Sequence, residues 1–263
     1  MRMIPTFILC GAALLLPPTS PAGDKPGPVQ ISWHGQSFFT IKSSKGTVIV
    51  TDPHQIVQYG RLMGLKADIV TMSHLHNDHT QLGVIENIKD KDIKIIPGLK
   101  GGGTNTAWNI VDEKIKDVHI RSVGVYHDSE QGMRFGKNTI FIFEVDGWRI
   151  VHLGDLGHQL SPAQIKAIGP VDVLMIPVGG IYTLNGSEAK RVVAQIKPKE
   201  YIFPMHVGTK IYDELLPVDE FLEDQDRAKV TSSQDNVITL NRDPQRPRPL
   251  IVLLHYWPKN RKE

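Results

Sequence analysis

The segment Ser73-His74-Leu75-His76-Asn77-Asp78-His79 decides how this sequence is interpreted. It directly follows the apolar run Asp68–Met72, which is typical of a buried strand. On a strand, the first two histidines would share one face, whereas the aspartate and the third histidine could not both join them. A loop at the end of the strand can turn all four side chains towards one point. Imidazoles with a carboxylate suit zinc, iron, nickel or manganese, so the segment predicts a metal site.

Three further candidate ligands also stand just beyond apolar runs. They are His127 after Ser122–Tyr126, Asp155 after Trp148–Gly154, and His206 after Tyr201–Met205. In α/β architectures, sites form beyond the ends of strands. Taken singly, each of the three is an ordinary polar residue at a strand end, and Asp78 could simply cap a following helix. Taken together with the first segment, they predict one site built from four parts of the chain.

Composition excludes several classes of protein. Of the 263 residues, 40% are hydrophobic and 22% are charged, which is typical of a globular protein and not of a disordered or coiled-coil chain. A net charge of +2 without a long basic run gives no electrostatic case for binding nucleic acid. The single cysteine excludes both a disulfide framework and a cysteine-ligated zinc site.

The N-terminal residues have the pattern of an export signal. Arg2 precedes the apolar run Phe7–Leu16, and Ser20-Pro21-Ala22 supplies a small-residue cleavage site. The run is too short to span a membrane, so no stable membrane anchor is expected. The alternative is a buried N-terminal helix. We therefore expect residues 1–22 to be a signal peptide, residues 23–263 to form one domain, and the mature protein to be periplasmic or secreted.

The order of predicted elements indicates an α/β fold. The predicted strands are Val29–Trp33, Phe38–Lys42, Thr47–Thr51, Asp68–Met72, Ile93–Ile96, Val118–Tyr126, Thr139–Val145, Arg149–Leu153, Val171–Ile176, Glu200–Pro204, Val237–Leu240 and Leu250–Tyr256. The predicted helices are Thr80–Lys89, Pro162–Ile168 and Ser187–Ile196. Strands that come first and then alternate with helices predict two sheets packed face to face, with helices outside.

The chain resembles the metallo-β-lactamase-fold hydrolases, whose signature His-x-His-x-Asp-His is followed by a distant His, Asp and His. More narrowly, it resembles the branch of ascorbate-phosphate lactonases and N-acyl-phosphatidylethanolamine phospholipase D. The narrower resemblance rests on Trp33–Phe39, Thr51-Asp52-Pro53, His152–Asp155, Pro177–Thr183 and Pro204–Thr209. The match spans roughly residues 29–225. It implies an αββα sandwich of two packed mixed β-sheets with outer helices.

The resemblance also implies how the candidate ligands divide between two divalent metal ions. One ion would be bound by His74, His76 and His127. The other would be bound by Asp78, His79 and His206, with Asp155 bridging the two. Zinc is the favoured metal, and manganese, iron or nickel also suit the ligands. A hydroxide held between the ions would be the nucleophile, and Asp78 and Asp155 are the expected catalytic carboxylates.

Other residues near these motifs are candidates for binding a small-molecule substrate. Tyr182 and Thr183 follow two glycines and precede a predicted helix, whose N-terminus favours anions. A tight turn that requires glycine explains the same segment equally well. His54 follows Asp52-Pro53 in a stretch that resembles a covering loop. Asp52 is a candidate for orienting a ligating histidine, and we expect a supporting or structural role for His34.

The expected activity is hydrolysis of a small ester, lactone or phosphodiester. A β-lactam hydrolase is a weaker alternative, because true metallo-β-lactamases have a cysteine or no bridging carboxylate at the second metal. Flavin-linked di-iron enzymes of the fold usually carry glutamate in place of His76, and RNA-processing enzymes carry nucleic-acid-binding elements. A non-catalytic metal- or ligand-binding protein is the alternative from another class. The sequence does not indicate an oligomeric state.

Overall fold

A computed structural model describes residues 27–60, 62, 64–102 and 106–259. The predicted signal peptide, residues 1–22, lies outside the described residues. Two large β-sheets account for most of the regular structure. The first has six strands in the order β15-β1-β2-β3-β4-β5. Their bounds are β1 Gln30–Trp33, β2 Phe39–Lys42, β3 Val48–Thr51, β4 Ile69–Met72, β5 Lys94–Pro97 and β15 Val237–Thr239.

The second sheet has eight strands in the order β14-β16-β13-β12-β11-β10-β9-β8. Their bounds are β8 Asp112–Ile115, β9 Val118–Tyr126, β10 Lys137–Val145, β11 Trp148–His152, β12 Val173–Pro177, β13 Tyr201–Met205, β14 Val230–Ser232 and β16 Leu250–Leu253. Strands β6 (Leu99–Lys100) and β7 (Ala107–Trp108) form a small separate ribbon. Both large sheets contain parallel and antiparallel pairs, so the prediction of mixed sheets is confirmed.

The α-helices in the described part of the chain all follow central strands of the second sheet. They are α1 Pro162–Ile168, α2 Gly186–Ile196 and α3 Asp219–Leu222. Ser161 caps α1 in a capping box with Gln164, and Asn185 caps α2 in the same way with Glu188. These signals explain why the sequence predicts α1 and α2 well. Within the described residues, none of the helices has the length and apolar character needed to cross a bilayer.

The predicted helix at Thr80–Lys89 is wrong. The segment instead contains a 3₁₀ turn at Leu82–Val84 and a further turn at residues 86–89. The 3₁₀ turn has no side-chain cap, and Gly83 followed by the β-branched Val84 and Ile85 disfavours a continuous helix. The apolar side chains of the segment still point inwards, where Ile85 packs with Phe38 against the outer face of the first sheet.

The main hydrophobic core lies between the two sheets. Phe39 on β2 and Phe203 on β13 meet across this interface, with ring centroids 6.4 Å apart. Phe141 and Phe143 on β10 are also fully buried in the same cluster. Each such aromatic side chain contributes about 1.5–3 kcal/mol on burial, so this interface supplies much of the stability. The rigid sandwich holds the ends of strands from both sheets in fixed positions.

Candidate metal centre

The predicted ligands come together where strands of both sheets end. His74, His76, Asp78 and His79 lie in the loop after β4. Asp78 and His79 belong to a 3₁₀ turn, Asn77–His79, and His76 directly precedes it. His127 follows β9, Asp155 follows β11 by three residues, and His206 follows β13. The arrangement explains the sequence pattern, because each of the four ligand segments begins within three residues of the end of a strand.

Asp155 lies at the centre of the cluster. Its Oδ2 atom is 3.1 Å from Nε2 of His206, 3.2 Å from Nε2 of His79 and 3.3 Å from Nε2 of His127. The same oxygen is 3.9 Å from Nε2 of His74. One carboxylate oxygen therefore faces imidazoles from three different segments of the chain, as a residue that bridges two cations would.

The donor atoms divide into three overlapping groups that could each hold a metal ion. Within a group, the donor atoms lie within 4.8 Å of one another. The groups are His74 with His76 and His127, His74 with His79 and Asp155, and Asp78 with His79 and His206. Nε2 of His79 is buried and makes no hydrogen bond within the described residues. A nitrogen in that situation fits a metal ion, and the imidazole and carboxylate donors suit zinc.

Close packing of the backbone aims Asp155 into the cluster. Gly154 precedes it at φ +53°, and a Cβ at this glycine would lie 2.4 Å from Oδ1 of Asn138 and 2.5 Å from Cβ of Ser73. Only glycine therefore fits between these side chains. Asn138 accepts a hydrogen bond from the Asp155 backbone N–H at 3.2 Å, and Ser37 Oγ donates to Oδ1 at 3.1 Å. Oδ2 is thereby left facing the histidines.

Asp52 orients two of the histidines, as its place after β3 predicts. Its Oδ2 atom is 3.0 Å from Nδ1 of His79, which turns Nε2 of that ring into the cluster. The same carboxylate accepts hydrogen bonds from the backbone N–H and the hydroxyl of Ser73, both at 2.6 Å. Oγ of Ser73 is in turn 2.9 Å from Nδ1 of His74. Such supporting contacts fix ring orientation and tautomer in metal sites.

Electrostatics hold Asp155 ionised and keep His74 and His76 neutral, which are the protonation states that bind metals. Burial alone would raise the pKa of Asp155, but the neighbouring histidines, His206 and His79 foremost, outweigh burial and hold that pKa well below its usual range. Burial lowers the pKa of His74 well below its usual value, and it also lowers the pKa of His76. Burial alone would lower the pKa of His79, but Asp155 and Asp52 outweigh burial and raise that pKa well above its usual value. A cation that binds at His79 would therefore displace a proton from this ring.

A pocket of about 230 Å³ opens over the cluster. Besides five of the ligands, Phe135 and Tyr182 line it, with their ring centroids 5.8 Å apart. The sequence gives no signal for Phe135, which lies in a polar turn. Asp128 positions this turn, because its carboxylate accepts backbone N–H bonds from Glu130, Gly132, Arg134 and Phe135. Phe135 consequently packs on the His127 ring, with a centroid distance of 5.4 Å.

The structure does not bring Thr183 to this pocket, unlike Tyr182. Thr183 is buried, and its hydroxyl lies 3.5 Å from the carbonyl oxygen of Leu184. The N-terminus of α2 is also not open to a substrate anion. Glu220 accepts hydrogen bonds there from Gly186 N at 3.0 Å and from Ser187 Oγ at 2.8 Å, so one of the chain's own carboxylates takes the place of an anion.

His54 lies in a different cavity, of about 530 Å³, which does not include the metal ligands. Its ring is buried, with Nε2 3.2 Å from the carbonyl oxygen of Gly35 and Nδ1 accepting from Ile56 N at 3.2 Å. His34 lines the same cavity, and its Nε2 is 2.7 Å from Oγ1 of Thr40. Burial lowers the pKa of His34 to about 3 and that of His54 to about 4. Both rings make local polar contacts, and neither lines the metal pocket.

Two packed mixed sheets with a histidine and aspartate cluster at their strand ends define the class of metallo-β-lactamase-fold, metal-dependent hydrolases. Comparison with known families agrees, since residues 30–206 match the β-lactamase superfamily domain. The chain belongs to that superfamily and, within it, to the UPF0173 family of metal-dependent hydrolases. The family supports hydrolase activity in this chain, and the fold predicted from the sequence is confirmed.

Individual relatives cover most of the chain. A UPF0173 protein of Pyrococcus furiosus is 30% identical over 212 residues, which cover 77% of this chain and 93% of the relative. A UPF0173 metal-dependent hydrolase of Thermococcus onnurineus is 27% identical, covering 69% of this chain and 85% of its own length. A crystal structure from Thermotoga maritima, assigned to the zinc-dependent hydrolases of the metallo-β-lactamase superfamily, superposes with a TM-score of 0.62 at 32% identity. The match covers 86% of this chain and 98% of the Thermotoga maritima chain. The narrower lactonase and phospholipase D branch stays a prediction.

Proposed function

We propose that this protein is an exported dinuclear hydrolase that cleaves a small ester, lactone or phosphodiester. The observation that carries the proposal is Oδ2 of Asp155, which lies 3.1 to 3.9 Å from four imidazole nitrogens. His74, His76 and His127 would hold one divalent ion, and Asp78, His79 and His206 the other. Zinc suits these donors best, and manganese, iron and nickel are further candidates.

The cation pair, when bound, would lower the pKa of a water molecule and stabilise negative charge on the leaving oxygen. The chain's own residues would do the remaining work. Asp155 is held by Ser37 at one oxygen, so its Oδ2 is available at the centre of the site. The Asp78 side chain is 37% exposed and lines the pocket, where it can pass a proton between substrate and solvent.

The balance of the proposed reaction is that of simple hydrolysis. The oxygen of one water molecule forms the new bond to the acyl carbon or phosphorus, and the bond to the leaving oxygen breaks. One proton of the water goes to solvent by way of a carboxylate, and the leaving oxygen takes up a proton. Phe135 and Tyr182 would contact the substrate at the pocket wall.

A panel of substrates tests the activity. The purified chain, loaded in turn with zinc, manganese, iron or nickel, should hydrolyse at least one of p-nitrophenyl acetate, γ-butyrolactone and bis(p-nitrophenyl) phosphate. A chromogenic cephalosporin belongs in the same panel, because preferential cleavage of it would favour the β-lactam alternative. A protein that binds metal but turns over none of the four compounds would be a non-catalytic binding protein, contrary to the proposal.

Export is tested separately by intact-mass analysis of the protein recovered from a bacterial host. The proposal is supported by Phe7–Leu16 and by the small residues that precede Gly23. We expect periplasmic or secreted protein whose N-terminus lies at or near Gly23. Full-length chain recovered only from the cytoplasm would contradict export while leaving the hydrolase assignment intact.

A further inference from the structure

Exposed apolar side chains lie on the segments that build or adjoin the metal pocket. Among the described residues, eight large apolar side chains are exposed. Five of them belong to segments that build or adjoin the pocket, and we call these five the apolar rim: Leu75, Met133, Ile181, Tyr182 and Leu216. Single exposed apolar residues are common on protein surfaces, whereas a group of them gathered at a cleft indicates a binding surface.

The members of the rim are tied to the ligands and to one another. Leu75 lies between two of the histidines, and Met133 lies in the turn that Asp128 organises after His127. Leu216 donates its backbone N–H to the carbonyl oxygen of Gly179 at 2.9 Å, which holds it beside Ile181 and Tyr182. The rim residues therefore stand on segments that also carry metal ligands or the pocket residue Tyr182.

Ile181 is held outwards against its own backbone preference. It has a φ of +60°, a region that β-branched residues avoid, and its side chain is 51% exposed. A residue in this conformation persists only where its surroundings impose it, and such residues concentrate at ligand-binding sites. Exposing an isoleucine in a disfavoured conformation does nothing for folding. Contact with a ligand gives the arrangement a physical reason.

The size of the pocket indicates what the rim contacts. Small-molecule sites usually enclose about 300–1,000 Å³. The pocket over the ligands, at about 230 Å³, holds only the reacting group of a substrate. Any larger substituent must extend past Phe135 and Tyr182 and lie on the rim. The chemistry of the rim then selects that substituent.

The charges around the pocket favour a neutral substituent. The α2 N-terminus, which would attract a phosphate, is already occupied by Glu220. Arg134 stands near the rim, but its guanidinium lies over the Phe135 ring, 4.7 Å from the centroid. The guanidinium keeps its charge there, but its packing on an aromatic face restricts how far it can reach towards an incoming substituent. The apolar side chains remain available to contact that substituent.

We infer that the rim binds the apolar acyl or alkyl part of the substrate, so that the natural substrate is an ester or lactone with a medium-length hydrocarbon chain. This inference rests on the proposed function and narrows its substrate class. It places neutral, apolar esters ahead of charged phosphodiesters. The specificity would come from the rim residues and the reaction from the ligand cluster.

A chain-length series tests the inference on the zinc-loaded full-length protein. We expect kcat/KM for p-nitrophenyl octanoate to exceed that for p-nitrophenyl acetate by at least tenfold, mainly through a lower KM. Complete burial of each added methylene would give about a fourfold gain. The expected gain over six added methylenes is smaller than full burial would give, because an open rim buries each methylene only in part. Calorimetric binding of octanoate and acetate provides a readout that does not depend on turnover.

Two variants test whether the rim residues, and not exposed apolar residues in general, produce the preference for long chains. Met133→Ser with Leu216→Ser should reduce the octanoate-to-acetate ratio severalfold and weaken octanoate binding by a similar factor. Ile110→Ser is the matched control, because Ile110 is 66% exposed but is not part of the pocket. The control should keep the wild-type ratio.

The outcomes distinguish the inference from the proposed function. Turnover of all esters at rates independent of chain length would overturn the inference and leave the hydrolase proposal standing. Turnover of the phosphodiester alone would overturn it too. If no compound is hydrolysed, the proposed function fails, and equal binding of octanoate and acetate would then reject the rim site as well. One further outcome concerns oligomeric state. If the wild-type protein is a dimer and the Met133→Ser, Leu216→Ser variant is a monomer with unchanged selectivity, the rim is an interface between two copies and the inference is contradicted.

Discussion

Asp155→Asn should lower kcat by at least about 100-fold on any substrate that the wild-type protein hydrolyses. The substitution keeps the shape of the side chain and removes the negative charge at the centre of four imidazoles. Oδ2 of Asp155 is 3.1 Å from His206 and 3.2 Å from His79, so an amide there either loses attraction for the cations or turns its N–H₂ group towards them. Steady-state kinetics alongside metal analysis would measure the effect.

A surface variant controls for the general effect of losing a carboxylate. Asp90 is exposed and precedes β5 at the start of the parallel β4–β5 pair, whereas the ligand loop follows the other end of β4. Asp90→Asn should therefore keep wild-type kcat and metal content. An Asp155→Asn protein with full metal content and unchanged kcat would show that the bridging role is wrong. The residue would then serve only to end the strand, and a mechanism with two metals would have to be abandoned.

His74→Ala combined with His76→Ala should reduce the metal content from close to two ions per chain to close to one. These histidines supply two of the three donors in the first group, and His127 alone cannot hold an ion tightly. A metal that binds only the folded state stabilises it, by about 2.7 kcal/mol when its concentration is a hundred times its Kd. The rise in Tm on adding zinc should therefore be smaller in the double variant than in the wild type.

The matched control removes two histidines that are not among the candidate metal ligands. His119→Ala with His255→Ala leaves the ligand cluster intact, since His119 pairs with Asp112 and Glu144 on the surface and His255 lies near the C-terminus. This protein should bind two ions and respond to zinc as the wild type does. Unchanged metal content in the His74→Ala, His76→Ala variant would refute the ligand assignment.

Most strands of the two sheets could be predicted from the sequence, because they are local patterns of apolar residues ended by polar or glycine residues. The strands β8 and β14 of the second sheet are not predicted, because Asp112–Ile115 and Val230–Ser232 are short and largely polar. The segment after His79 shows the limit of this reasoning. Leu82, Ile85 and Ile88 have a spacing that a helix would place on one face, yet they reach the outer face of the first sheet through successive turns. Spacing records which side chains are buried, and several backbone paths can bury the same set.

The ligand cluster could be predicted because each ligand segment begins within three residues of the end of a strand. The pocket wall could not, because Phe135 is positioned by Asp128 through bonds to a turn, and its partner Tyr182 comes from a distant part of the chain. The occupation of the candidate anion site at the α2 N-terminus could not be predicted from the sequence, for a similar reason. Glu220 is 34 residues from Gly186 in the chain, and no local sequence pattern predicts its contact with the α2 N-terminus.

The origin of the ligands in four separate segments has a consequence for how the protein acquires its metal. His74, His127, Asp155 and His206 meet only after both sheets have formed, so an unfolded chain has no complete site. Metal uptake therefore comes late in maturation. If the chain crosses the membrane before it folds, the ion that fills the centre is chosen from the supply outside the cytoplasm. The identity of the metal would then be decided by the place of folding as much as by the donors themselves.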